Sequence, residues 1–383
     1  MAIRKRESDK VESPRQITVL QATAIVVSTI IGVGVLALPS IAVKVADTGA
    51  PLVTLLGVAI AVVGLVLITL LGIRFPNQSI MQYSEDIIGK WPAWIGSACL
   101  IAFFAVLTSL TAREFGEVVE TSVLQMTSLE VTVIVMLLLA AISARNDITT
   151  LAYIHFFYSP ILIFPIMLML ALSMKNADPL NRLPIWGNEA GGMLEGAVTV
   201  AALFQGSFIV TVVIPAMRRP EKVMTASLWG ILIAGGHYVL IVAGAVSVFG
   251  AEEIKHLLWP TLELAKATSL PANVLERLDA AFLAVWVTAV FTTLYSSYFL
   301  VIHGISKLFR LRDHKMFSFF MLPFVFVMAM VPQNIFQMYR IIEVVGRFGL
   351  MMTIVYPGLL WTVSIIRKKR GDQVENKPMD ETG

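Results

Sequence analysis

Cysteine is nearly absent. Cys99 is the only one in 383 residues, which excludes an intrachain disulfide and a cysteine-built metal cluster and leaves it as a small packing residue. Charge is also scarce, at 14% of the chain against about 25% in soluble domains. With 57% of residues hydrophobic, the environment of most of the chain is lipid. The five histidines are scattered, and no phosphate-binding loop or nucleophile–base pattern is present. No enzyme, cofactor, metal or nucleic-acid partner is therefore expected.

What is present is a series of long apolar runs. Ten candidate spans fall at approximately 17–43, 50–73, 93–124, 129–144, 148–173, 194–216, 223–249, 276–305, 317–332 and 340–366. The fourth and ninth are short for a hydrocarbon core about 30 Å thick. The first is too long, and wrongly flanked, for a cleaved signal peptide. Lysines and arginines concentrate on one side, in Arg4, Lys5, Arg6, Lys10 and Arg15 at the start and Arg367, Lys368, Lys369, Arg370 and Lys377 at the end. By the positive-inside rule both termini are cytoplasmic. The expected organisation is a short tail at 1–16, a membrane domain at 17–366 and a second tail at 367–383.

Two spans carry breaks. STIIGVGVLALP at 28–39 interrupts span 1, and ALFQGSFIVTVVIP at 202–215 interrupts span 6. Broken backbone is tolerated at membrane depth only where protein or a polar cavity satisfies it. Division into repeats at about 17–173 and 194–366 puts a broken helix first in each half, and the odd number of spans per half inverts one against the other. The expected fold is all-α and integral to the membrane, with ten transmembrane helices in a 5+5 inverted repeat whose first and sixth helices are broken. Such breaks mark a midplane binding site. Exposed N–H and C=O ends suit a carboxylate and an ammonium, so a zwitterionic amino acid fits.

The segment Gln21 to Pro39, the LWPTLEL run at 258–264 and LERLDAAFLAVWVTAVFTT at 275–293 resemble the B subunit of the GerA-type spore germinant receptors. That group is a branch of the amino acid, polyamine and organocation transporter superfamily. The resemblance covers roughly 17–370. It implies a receptor subunit in the spore inner membrane that acts with A and C subunits and senses a small nutrient, often an L-amino acid. A proton- or sodium-coupled amino-acid permease and a ligand-gated ion-release channel subunit are the alternatives.

Ligand contacts are expected from Thr29, Ile30, Gly32 and Gly34 in span 1 and Phe204, Gln205 and Gly206 in span 6. Facing spans would add Phe103 and Leu107, which share a helix face, the hydroxyls of Thr292, Thr293 and Ser297, and Phe348. Thr292 and Thr293 with span 1 carbonyls would make at most a weak sodium site. His155 in span 5 is a candidate proton-linked group, where related proton-coupled transporters place a protonatable residue. No carboxylate lies mid-span in spans 1, 5, 6 or 8, which favours a small neutral ligand.

Charges cluster in the outer half of span 3, where Arg113 and Glu117 are spaced to pair beside Glu114 and Glu120, and in span 10, where Arg340, Glu343 and Arg347 form a stripe. Two amphipathic interfacial helices are expected, one in the outer loop at 250–273 and one at 75–92 with Trp91 and Trp94 as anchors.

Overall fold

The computed structural model describes residues 16–187, 192–268, 278–311 and 313–371. The expected tails at 1–15 and 372–383, and the parts of the expected outer-loop helix and of span 8 at 269–277, lie outside them. Among the described residues the fold is helical, apart from an isolated bridge between Ile17 and Met217.

Seven helical stretches are long and apolar enough to cross a membrane, and three shorter apolar helices accompany them. The chain is a multi-pass membrane protein. Predicted span 1 is α1 (Val19–Ile30) and α2 (Leu38–Ala46), separated by an irregular stretch. The Thr18 hydroxyl accepts from the Gln21 amide while the Gln21 side chain accepts from the Thr18 amide, so a capping box starts α1. Asp47, in the left-handed region at φ 47°, ends α2 and turns the chain into α3 (Ala50–Arg74).

The interfacial segment expected at 75–92 contains α4 (Ile80–Ile88), started by a capping box at Ser79. The long α5 (Lys90–Ser122), α6 (Leu129–Ala144) and α7 (Ile148–Ser173) follow. Pro160 and Pro165 sit inside α7, whose outward face is apolar, with Phe157 67% and Phe164 68% exposed. In lipid such a face needs no cover.

Predicted span 6 comprises α8 (Met193–Ala201), a 3₁₀ stretch at Ala202–Ile209 and the short α9 (Val210–Val213). The amides of Gln16 and Ile17 donate to Ala216 O, and Arg218 donates to Ile17 O, tying the start of span 1 to the end of span 6. After α10 (Val223–His256) bends at Gly250, φ +73°, comes α11 (Pro260–Ala267), within the segment expected to hold an amphipathic helix. The last helices are α12 (Leu278–Leu308), α13 (Lys315–Ala329), α14 (Ile335–Leu350) and α15 (Tyr356–Ile366), with a π-helical turn at 351–355 between the final two.

The core surrounds α1 and the 3₁₀ stretch, which are packed by α3, α7, α10 and α12. Large buried rings such as Tyr238, Tyr295, Phe204 and Phe208 fill it.

Candidate functional site

Breaking α1 frees carbonyls that would otherwise be bonded one turn on. Hydroxyls from two other elements cover them. Thr292 donates to Ser28 O at 2.9 Å, Thr293 to Thr29 O at 3.1 Å, and Tyr238 to Ile30 O at 2.6 Å. Beyond the break Thr261 donates to Val35 O at 2.7 Å. The carbonyl side of the break is thus held by α12 and α10, and the segment past it by α11. The amides of Gly32, Val33 and Gly34 lie in the stretch between α1 and α2.

Two glycines are fixed by close approach. A Cβ on Gly32 would lie 2.3 Å from the Thr293 hydroxyl oxygen, and one on Gly206 2.9 Å from Thr29 O. Any side chain there would push the break away from α12, or the two broken segments apart. At Gly32 this packing demand exists whatever binds.

Thr29, Ile30, Gly32, Gly34, Leu107, Gln205, Gly206, Thr293 and Ser297 line one cavity of about 660 Å³. Five other expected residues stand outside its lining. Phe103 is buried edge-on against Phe104, ring centres 4.9 Å apart. Phe204 packs on Tyr238 at 5.1 Å, and the Thr292 hydroxyl is spent on Ser28 O and Ala289 O. Phe348 is 44% exposed.

His155 is the fifth. It is fully buried, with Nδ1 2.5 Å from Ser28 Oγ and Nε2 2.9 Å from Ser296 Oγ. Ser28 donates to Ala24 O at 2.6 Å, so its oxygen accepts from Nδ1–H. Nε2 then accepts from Ser296, whose oxygen accepts from Thr29 at 2.8 Å. The ring bridges Ser28 to Ser296, and Ser296 in turn meets the cavity-lining Thr29.

Sequence reasoning did not assign Thr111, Glu114, Tyr238 or Tyr339 to the wall. Positions 107, 110, 111 and 114 share one face of α5 at helical spacing, so extending the Leu107 face by one turn finds Glu114. Nothing in span 7 singles out Tyr238. Arg113 faces away and pairs with Glu117 at 2.7 Å. At the mouth, Arg347 of α14 bridges Glu195 of α8 at 2.6 Å and Glu343 at 2.7 Å, while Arg340 lines the rim. Gln205 Nε2 donates to Gly346 O at 2.6 Å, linking the 3₁₀ stretch to α14.

The family model described as "Spore germination protein" matches residues 16–338. Spore germination protein YndE of Bacillus subtilis (strain 168) is 24% identical over 358 residues, covering 92% of this chain and 98% of that protein. Spore germination protein B2 of the same organism is 25% identical over 370 residues, covering 94% and 98%. Among solved structures, the nucleobase-cation-symport-1 family transporter MHP1, with bromovinylhydantoin bound, superimposes with a TM-score of 0.68 at 14% identity, covering 93% of this chain and 80% of its own. MhsT in complex with L-phenylalanine gives 0.66 at 12% identity, covering 92% and 89%. At these identities the likeness establishes a shared transporter fold. Neither the family nor these neighbours are enzymes.

Proposed function

Because this chain belongs to the spore germination protein family, we propose that it is a nutrient germinant receptor subunit. It binds a small molecule, an L-amino acid in the leading reading, between two broken helices and thereby triggers germination. The observation that carries this is the convergence of Gly32, Gly34, Gln205 and Gly206 on one cavity of about 660 Å³, a volume suited to a small ligand. A carboxylate meets the amides at 32–34. In this reading ten helices cross the membrane as a 5+5 inverted repeat, both termini are cytoplasmic, and the chain works beside A and C subunits in the spore inner membrane. Binding biases the fold between two states, and the partners read the difference.

A second reading, an amino-acid transporter, is favoured by the transporter fold of the solved neighbours. Binding and uptake of radiolabelled amino acids by the full chain in proteoliposomes separates the two. Saturable binding without ion-driven accumulation, lost when Leu107→Trp fills the cavity, supports the receptor. Accumulation against a gradient supports the transporter, and absence of binding by any amino acid removes both.

A further inference from the structure

Among the described residues Glu114 is the most deeply buried carboxylate, 5% exposed, and it forms part of the cavity wall. Its hydrogen bond comes from the Tyr339 hydroxyl at 3.0 Å. The adjacent buried cation is not its partner, because Arg113 gives both its Nε and an Nη to Glu117. The other cavity charges stand at the mouth. Arg347 is held by Glu195 and Glu343, and Lys44 and Arg340 are exposed at the rim. A carboxylate withdrawn from water and held by a single neutral donor is costly unless a cation meets it.

Its position identifies which group of a ligand that cation belongs to. Phe104 packs on Phe208 of the 3₁₀ stretch, ring centres 5.3 Å apart, so that turn of α5 lies level with the second break. Glu114 follows on the same continuous helix, past Leu107 and Thr111 of the cavity wall. Gln205 Oε1 is buried without a partner and is an acceptor for the α-ammonium, so with the carboxylate on the amides at 32–34 both backbone charges of the ligand have partners other than Glu114. Resting on the amino-acid reading above, we infer that Glu114, supported by Tyr339, is a subsite for a positively charged side chain, so that the cavity selects a basic amino acid of the lysine or arginine type. This departs from the neutral ligand expected from sequence, where Glu114 stood only among the outer charges of span 3.

The test measures binding of L-lysine, L-arginine and L-norleucine, which lacks the terminal ammonium of lysine, to the full chain in lipid nanodiscs. Lysine or arginine should bind at least ten-fold more tightly than norleucine. Glu114→Gln should abolish that margin by weakening lysine and arginine far more than norleucine, and Tyr339→Phe should reduce the margin without removing it. No preference for the basic ligands, or equal weakening of all three by Glu114→Gln, overturns the subsite while norleucine binding leaves the amino-acid pocket standing. If none of the three, and no other amino acid, binds the unaltered chain, both readings fall.

Discussion

The Thr261 hydroxyl donates to the Val35 carbonyl at 2.7 Å across 226 positions of sequence. The Thr261 amide reaches Leu36 O at 3.4 Å, so α11 is fastened to the broken segment by side chain and backbone together. Trp259, two residues earlier, packs against Tyr339 with ring centres 6.2 Å apart. The WPT run thus joins the loop between α10 and α12 to the cavity wall. Thr261→Val should leave a buried carbonyl unsatisfied and destabilise the protein by about 1–3 kcal/mol. Thr261→Ser, keeping the hydroxyl, should lose much less, as thermal unfolding in detergent will show.

Gly32 and Thr293 are coupled by contact. Gly32→Ala forces its new methyl onto the Thr293 hydroxyl and should abolish or strongly weaken ligand binding. Thr293→Ala in the same chain removes the nearest atom and should restore part of the loss. A double-mutant cycle on stability should give an interaction energy of about 0.5–3 kcal/mol, and strict additivity would show that the clash is relieved elsewhere.

Ser296 lies outside the cavity but accepts from Thr29, which lines it, and donates to His155. Ser296→Ala should weaken ligand binding severalfold by leaving the Thr29 hydroxyl without its acceptor. Substitution of Ser364, buried far along the chain and bonded to Trp361 O, should leave affinity unchanged.

Arg113 and Glu117 form a largely buried ion pair, with side chains 9% and 12% exposed. Glu117→Gln leaves the guanidinium without its counter-charge and should cost about 3–5 kcal/mol. Replacing both residues with methionine should be far milder, because no buried charge remains. Chemical denaturation in micelles measures both.

Arg347 behaves differently because its partners are exposed. Arg347→Gln should alter stability by no more than about 1 kcal/mol. It should change the rate at which charged ligands enter the mouth, and that change should shrink as salt is raised.

The amino-acid sequence by itself determined that this is a helical membrane protein interrupted at 28–39 and 202–215. Apolar runs long enough for a bilayer, and glycines inside them, leave few other solutions when every backbone group must be satisfied within the protein. Residues on the broken segments were legible for the same reason. Only the tertiary structure decided which facing side chains complete the site. The turn each helix presents depends on rotation about its axis, which repeated apolar residues do not specify in lipid. Phe103 therefore turned behind Phe104, the Thr292 hydroxyl went to Ser28 O, and Tyr238 and Glu114 came into the wall. His155 shows the same division, since its place in span 5 was readable but its bridge from Ser28 to Ser296 exists only once α1, α7 and α12 are packed.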